Sequence, residues 1–362
     1  MVNEQREAMS KSSQGRFFED FRIDEDIIHP VPRTLSEADS ALYLALTGSR
    51  FSLFCSRPFA RSLGFADIPM DNLLVFHIAF GRTVADISRN AIANLGYAEV
   101  RFEYPVYAGD TIDVSSRVIG LRETRNGKAG IVTVASRACG AEGRTLLSWK
   151  RWLLMAKREP GQRTDVNIEA QLAPQVEAQK LPLPTGQSFA DFDRDASGEP
   201  WSYEDYQPGE IIDHVDGVTL DEAEHMMATR LYQNNARVHF NAHRMANSDH
   251  GRRLVYGGHV MSLCRALSHN GLANGQWLAA INGGSHANPV HAGDTLYARS
   301  EVLDKFEWPD RQDLGALRLR TFGYKNCAWP DMKEAVTDNQ GRRLYHPNLV
   351  LDLDYTVLFP RR

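Results

Sequence analysis

Apolar residues recur at three- and four-residue spacing in one stretch of the N-terminal half. The stretch runs from Asn72 to about Ile87, and its apolar positions are Leu73, Phe76, Phe80, Val84 and Ile87. This spacing is typical of a helix that turns an apolar face toward a core. A second apolar stretch, from His259 to about Leu267, takes the corresponding place in the C-terminal half. We therefore predict one central helix in each half.

Alternation at period two follows each of these helices and predicts strands. In the first half Val132, Val134 and Ser136 alternate with Thr133 and Ala135. Near the C-terminus the face formed by Leu349, Leu351, Leu353 and Tyr355 alternates with Asp352, Asp354 and Thr356. Such alternation indicates strands with two distinct faces. Strands that follow a central helix predict an α+β fold, with an antiparallel sheet wrapped around that helix in each half.

Three sequence blocks occur twice in the same order. Phe18–Phe21 and Thr34–Ala38 match Tyr203–Tyr206 and Thr219–Ala223, each at an offset of 185 residues. The third block, Tyr104-Pro-Val-Tyr-Ala-Gly-Asp-Thr111, matches Asn288-Pro-Val-His-Ala-Gly-Asp-Thr295 at an offset of 184. A helix start fitting a capping box recurs as well, with Thr34 or Ser36 before Glu37 and Thr219 before Glu222. Three blocks in register predict an internal duplication.

The duplication divides the 362 residues into two domains and a connection. We predict one domain over residues 16–155 (copy one) and another over residues 201–362 (copy two). Residues 156–200 are rich in Pro, Gly, Gln and charge, which is typical of a linker. Within it, Ile168 to Gln179 is prone to form a short helix. The linker is long enough to run across one domain.

Composition restricts the environment and the partners that we expect. The formal net charge is −5, and no basic stripe points to nucleic-acid binding. No apolar run approaches the roughly 20 residues of a membrane helix, and Met1 to Gly15 has no apolar signal segment. The four cysteines are scattered, as is typical of thiols in a reducing compartment. We expect a soluble cytoplasmic protein without membrane or nucleic-acid partners.

The Pro-Val-x-Ala-Gly-Asp-Thr block, placed after a helix that opens with Gly-Gly-His, resembles the MaoC-type hydratases. That resemblance covers nearly the whole chain and implies a double hot-dog fold, in which the two copies pair their sheets around two helices. The segments Asn235–Asn241 and Tyr256–Val260 resemble a narrower subgroup, the mesaconyl-CoA hydratases. The resemblance implies reversible hydration of mesaconyl-CoA to β-methylmalyl-CoA, with CoA as part of the substrate and no cofactor.

Hydratases of this family carry a motif close to Gly-Asp-x-Asn-Pro-(apolar)-His. In copy two the matching stretch is Gln233–His239, where His239 keeps the histidine and Asn234 stands at the aspartate position. In copy one the same positions hold Ser49 and Phe54. The resemblance therefore implies that copy two carries the chemistry and copy one is catalytically silent.

Hydration of an enoyl thioester needs a base for water, an acid for the α-carbon and donors for the developing oxyanion. We predict His239 as base and proton shuttle, since imidazole titrates near neutral pH. Asn234 either orients water or the imidazole, or satisfies the loop backbone. The amide of Gly258 or His259, at a helix N-terminus, is the predicted oxyanion donor.

Further residues near this motif are candidates for binding the substrate. Arg237 is a candidate clamp for the free carboxylate of mesaconyl-CoA. The other candidates are Asn235, Asn241, Tyr256, Gly257 and His259. Four histidines, His239, His259, His286 and His291, could suggest a metal site. We expect no metal, because no short ligand spacing among them supports a zinc site.

Three questions stay open at the sequence level. The missing aspartate is replaced by Asp71, by Asp249 or by the substrate's own carboxylate. Asp71 also keeps a thioesterase open, and the loss of the family aspartate keeps a non-catalytic acyl-CoA binding protein open. A broader (R)-specific enoyl-CoA hydratase is the nearest alternative chemistry. The two copies are sufficient for a monomer, and a homodimer is equally compatible.

Overall fold

The computed structural model describes residues 11–164 and 166–362. In copy one the strands are β1 (Asp26–Thr34), β2 (Ala91–Phe102), β3 (Thr111–Glu123), β4 (Ala129–Cys139) and β5 (Thr145–Ala156). The helices of this copy are α1 (Glu37–Thr47), α2 (Ser52–Cys55), α3 (Arg57–Ser62) and α4 (Asn72–Thr83). Helix α4 continues as a π-turn over Val84–Ser88. The connecting segment contains β6 (Asn167–Ile168) and α5 (Arg194–Ser197).

Copy two repeats this order of elements. Its strands are β7 (Ile211–Thr219), β8 (Trp277–Ser285), β9 (Thr295–Trp308), β10 (Arg311–Lys325), β11 (Ala335–Thr337), β12 (Arg343–Tyr345) and β13 (Leu349–Pro360). Its helices are α6 (Glu222–Leu231), α7 (Arg237–Phe240), α8 (Ala242–Met245), α9 (Gly257–Leu267) and α10 (His269–Leu272). Short 3₁₀ turns at Phe18–Asp20 and Tyr203–Asp205 precede the first strand of each copy.

The two copies share one antiparallel sheet, in the order β1-β3-β4-β5-β2-β8-β13-β10-β9-β7. Strands β2 and β8 join the copies, with Tyr97 opposite Gly284 and Ala98 opposite Gly283. Helix α4 packs against β3, and α9 packs against β9, β10 and β13. Every residue of α4 except Arg82 is buried, which explains why it is apolar on all sides. The predicted α+β architecture, with a sheet around two central helices, is confirmed.

The duplication extends to buried polar contacts. His29 Nε2 lies 2.9 Å from the Ser116 hydroxyl in copy one, and His214 Nε2 lies 2.8 Å from the Ser300 hydroxyl in copy two. Each histidine belongs to the first strand of its copy and each serine to the strand beside it. Burial of a polar group is tolerated when the group is hydrogen-bonded, so each copy satisfies the same requirement in the same way.

Of the two N-cap candidates predicted in copy one, Ser36 is the N-cap and Thr34 is not, whereas in copy two the N-cap is Asp221 and not the predicted Thr219. In copy one the box joins Ser36 and Asp39, and in copy two it joins Asp221 and Glu224. The two threonines belong instead to strand ends, where the Thr34 hydroxyl lies 2.7 Å from that of its cross-strand partner Thr111. Thr219 and Thr295 repeat this contact at 2.8 Å.

The linker does not form the helix predicted for Ile168 to Gln179. Asn167 and Ile168 pair with β3, and the chain then runs irregularly to a 3₁₀ turn over Ala178–Lys180. Pro174 disfavours a helix there, because it lacks an N–H and restricts the residue before it. The linker instead bonds to copy two, with the Val176 amide donating to Asn282 Oδ1 at 2.9 Å.

None of the helices within residues 11–164 and 166–362 is long and apolar enough to cross a membrane.

Candidate active site

A cavity of about 330 Å³ opens between the two copies. Copy one contributes strands β2 and β5 and the end of α4, and copy two contributes the segment before α9 and the loop after β8. The lining is mainly apolar and carries a few convergent polar groups, which is the usual composition of a small-molecule site. Its principal polar side chains are those of Asn94, Tyr97, Arg151, Asn234, His239, His250, Tyr256, His286 and Asn288. No aspartate or glutamate is among the described residues that line it.

His239 borders this cavity from α7. Its Nδ1 lies 3.0 Å from the carbonyl oxygen of Leu254, which only accepts a hydrogen bond, so Nδ1 carries the proton in the neutral ring. Burial lowers the pKa of His239 to about 4. The ring is therefore neutral at pH 7 and its Nε2 holds a lone pair, as a general base requires.

The loop before His239 is fixed by its own backbone and by Asn234. Gln233 has a left-handed φ of 52°, which turns the chain out of α6. The amide of Asn234 then donates to the Thr229 carbonyl, and its Oδ1 accepts from the Ala236 amide at 3.2 Å. Asn234 is 1% exposed and borders the cavity. Its side-chain oxygen is thus used to hold the loop that places His239.

Two glycines at the start of α9 allow aromatic rings to approach the backbone. A Cβ on Gly257 would lie 2.6 Å from Nδ1 of His286, and a Cβ on Gly258 would lie 2.5 Å from the Tyr256 ring. Gly257 borders the cavity, whereas Gly258 does not. The amide of His259 donates to the Tyr256 carbonyl at 2.9 Å, so it is not free to bind a ligand.

A histidine and a tyrosine from different copies meet across the cavity wall. The Tyr97 hydroxyl lies 3.0 Å from His286 Nε2. Burial raises the pKa of Tyr97 and lowers the pKa of His286 to about 4, so both groups are neutral near pH 7. Nothing in the sequence pattern singled out Tyr97, and His286 entered only as a possible metal ligand.

Tyr256 belongs to a buried polar cluster between the two central helices. Its hydroxyl is 3.5 Å from His77 Nδ1, and His77 Nε2 is 2.9 Å from the Ser262 hydroxyl. Tyr43 donates to the same Ser262 oxygen at 2.9 Å. The Tyr256 ring also meets the His239 ring, edge to face, at 5.5 Å. The cluster thereby connects the helix pair to the ring that supports His239.

Several predicted site residues lie outside the cavity. Arg237 donates to Asn90 Oδ1 at 3.1 Å, and its pKa is lowered by burial and by Arg244 and Arg89. Asn235 is exposed, and Asn241 caps α8 by accepting from the Arg244 amide. The His259 ring is buried with its Nδ1 3.4 Å from the Tyr232 hydroxyl.

Neither aspartate that was considered as a replacement borders the cavity. Asp71 is 5% exposed, caps α4 by accepting from the Leu73 amide at 2.8 Å, and has its pKa raised by desolvation. Asp249 is exposed. In copy one, Phe54 is 3% exposed within the core and so leaves no polar group at the position equivalent to His239.

Within the described part of the chain, no cluster of three or more histidine, cysteine, aspartate or glutamate side chains has a geometry that could hold a metal ion.

A shared sheet around two helices, with a cavity between the copies, defines a double hot-dog protein. The crystal structure of a MaoC domain protein dehydratase from Chloroflexus aurantiacus superposes with a TM-score of 0.93 at 50% identity, over 98% of this chain and 99% of that one. A Mycobacterium tuberculosis protein with a double hot-dog fold superposes with a TM-score of 0.75 at 22% identity, over 96% of this chain and 99% of that one. The predicted fold is therefore confirmed.

The sequence comparisons identify the family. The model of the mesaconyl-CoA hydratase family matches residues 3–335. The β-methylmalyl-CoA dehydratase of Chloroflexus aurantiacus is 51% identical over 98% of this chain and 99% of its own. The mesaconyl-CoA hydratase of Cereibacter sphaeroides is 50% identical over 97% of this chain and 100% of its own. The chain belongs to the mesaconyl-CoA hydratase family and is a hydro-lyase, as the sequence motifs predicted.

Proposed function

We propose that the protein catalyses the reversible hydration of mesaconyl-CoA to β-methylmalyl-CoA, with His239 as the base. The observation that carries the proposal is the state of His239, a neutral ring whose Nδ1 is held by the Leu254 carbonyl at the edge of a largely apolar cavity. The names of relatives at 50–51% identity support the choice of substrate.

In the proposed reaction, Nε2 of His239 accepts a proton as the water oxygen bonds to the β-carbon, which carries the free carboxylate. The double-bond electrons move toward the thioester and form an enolate. The α-carbon then takes up a proton, and we assign the His239 imidazole, which accepted a proton from water, as its donor. No net charge is gained or lost, because one water molecule is added across the double bond.

The enolate oxygen needs hydrogen-bond donors, and the first turn of α9 is the candidate. The first amides of a helix have no partners within it and carry a partial positive charge. Because the His259 amide is already bonded and Gly258 does not border the cavity, we assign the donor role to the amide of Gly257, with the sequence-predicted Gly258 behind it. One such donor contributes roughly 2.7–4 kcal/mol to transition-state stability.

The family aspartate has no replacement among the described cavity residues. We propose that Asn234 orients the loop and that the attacking water is positioned by His239 and by the substrate itself. The other predicted binding residues, Arg237, Asn235, Asn241 and His259, lie outside the cavity lining, and we assign them no contact with the reacting carbons.

The test follows the enoyl-thioester absorbance of mesaconyl-CoA with wild type and His239→Ala, with crotonyl-CoA as comparator. Removing a positioned base lowers a rate by roughly 10²–10⁴-fold, and we expect that loss. His243→Ala is the matched control, because His243 is exposed on α8 and does not border the cavity.

Each other outcome points to a different function. Equal rates with crotonyl-CoA indicate a broad enoyl-CoA hydratase, and release of free thiol indicates a thioesterase. Unchanged absorbance with retained CoA binding indicates a binding protein. Full activity of His239→Ala contradicts the assignment of the base.

A further inference from the structure

Copy one, which lacks the histidine of the hydratase motif, places a buried cation in the cavity. Arg151 on β5 is 0% exposed and borders the cavity. Its Nη2 donates to the Thr83 hydroxyl at 2.8 Å, and its guanidinium lies 4.2 Å from the centre of the Phe80 ring. Its Nε is buried and has no hydrogen-bond partner. A buried cation with an unsatisfied donor and no counter-ion is costly, which points to an anionic ligand.

Within the described part of the chain, no acidic side chain pairs with Arg151. None of the ion pairs among the described residues includes Arg151, and no carboxylate borders the cavity. The groups whose ionisation would act on it are the Tyr97 and Tyr256 hydroxyls, and burial raises the pKa of both, so neither carries a charge near pH 7. Burial lowers the pKa of Arg151 only to about 10, so the side chain is cationic at neutral pH.

A second unsatisfied group lies on the neighbouring strand. Both Nδ2 and Oδ1 of Asn94 are buried without hydrogen-bond partners, and Asn94 borders the same cavity. In the pairing of β2 with β5, Asn94 lies opposite Leu153 and Tyr97 lies opposite Arg151. Positions 151 and 153 share one face of β5, so Arg151 and Asn94 are neighbours on the cavity side.

We propose that Arg151 and Asn94 of copy one form the subsite that binds the free carboxylate of the substrate. This inference rests on the proposed function, because a carboxylate on the hydrated carbon is what distinguishes mesaconyl-CoA from a plain enoyl thioester. A guanidinium matches a carboxylate in charge and geometry, and the Asn94 amide supplies a further donor. The subsite sets the specificity, while His239 of copy two supplies the base.

Arg151 thus takes the role of carboxylate clamp that the sequence suggested for Arg237. Arg237 is outside the cavity lining and already donates to Asn90. Copy one, which has Ser49 and Phe54 at the aspartate and histidine positions of the motif, thus keeps a direct role in binding.

The test compares kcat/KM for mesaconyl-CoA and crotonyl-CoA in Arg151→Met. We expect a loss of about 10- to 10²-fold with mesaconyl-CoA, the loss expected for a hydrogen-bonded ion pair. The value for crotonyl-CoA stays within about twofold or rises, since that substrate has no carboxylate. We expect Asn94→Leu to lower the ratio of kcat/KM for mesaconyl-CoA to kcat/KM for crotonyl-CoA by a smaller factor than Arg151→Met does. Arg151→Lys is expected to restore part of the ratio that Arg151→Met loses. Arg137→Met is the control, because Arg137 is exposed on β4 and outside the cavity.

A binding measurement keeps this test separate from the proposed reaction. Calorimetry compares succinyl-CoA, which is saturated and carries a carboxylate, with butyryl-CoA, which does not. Wild type is expected to prefer succinyl-CoA, and Arg151→Met is expected to lose that preference. Preference without hydration of mesaconyl-CoA overturns the proposed function and leaves the subsite intact. Equal losses with both substrates in Arg151→Met and Asn94→Leu, or an unchanged preference, overturn the subsite.

Discussion

The protonation state of His239 predicts an unusual acid limb in the pH–rate profile. Burial lowers its pKa to about 4, although the Leu254 carbonyl acts in the opposite direction by bonding the Nδ1 proton. A base works only when it is unprotonated, so kcat/KM follows the neutral fraction of the ring. With a pKa of about 4, kcat/KM at pH 5 is about 90% of its value at pH 7; with the ordinary value near 6.5 it is about 4%.

The assay measures kcat/KM for mesaconyl-CoA from pH 7.5 down to pH 5 at constant ionic strength. Enzyme incubated at pH 5 and returned to pH 7 must regain full activity, which excludes unfolding as the cause of any loss. A limb centred near pH 6.5 refutes the reasoning, because His239 would then be solvated rather than enclosed. Nitrogen-15 NMR of the histidines provides an independent check, since the neutral ring should carry its proton on Nδ1.

Two further predictions concern packing and acid stability. Gly257→Ala places a Cβ 2.6 Å from His286 Nδ1, so the His286 ring must move. We expect kcat/KM to fall about 10²-fold while the circular dichroism spectrum is unchanged. Gly283→Ala is the control, because a Cβ there meets nothing within 4 Å and should leave kcat/KM unchanged. His214 is fully buried, and burial lowers its pKa to about 4, whereas in the unfolded chain the pKa is near 6.5. The neutral His214 ring therefore contributes fully to stability above pH 6.5, and this contribution is lost as the pH falls toward 4. Urea unfolding at pH 7.5 and pH 5 should show wild type losing about 2 kcal/mol more than His214→Gln, and equal losses would contradict the assignment.

The fold could be predicted because the duplication repeats its local signals. The spacing from Leu73 to Ile87 indicated the central helix of copy one, and the Ala-Gly-Asp-Thr block indicated the same turn in both copies. The linker was different, because helix-forming residues between Ile168 and Gln179 suggested a helix that Pro174 and the bond to Asn282 exclude. Pro174 is a local signal against that helix, whereas the bond to Asn282 is a tertiary contact that the local sequence does not show.

Site residues that border the cavity were predicted from the sequence only in the two copy-two segments that resemble the family's motifs. Asn234, His239, Tyr256 and Gly257 border the cavity and come from two short segments of copy two. Tyr97, Arg151 and Asn94 come from the other copy, on strands β2 and β5, and none of them was predicted from the sequence. A cavity formed by two copies brings together residues that are far apart in sequence. Arg151 and Asn94 are identified by buried polar atoms without partners, and Tyr97 by its contact with His286, and only the structure provides these observations.

Mass spectrometry of the products that purified protein forms from mesaconyl-CoA tests the proposed hydration directly. We expect a single product that is heavier by one water molecule, retains CoA, and returns to mesaconyl-CoA when it is isolated and incubated again with the enzyme. Free CoA together with mesaconate, or unchanged substrate at every enzyme concentration, would contradict the proposed hydration.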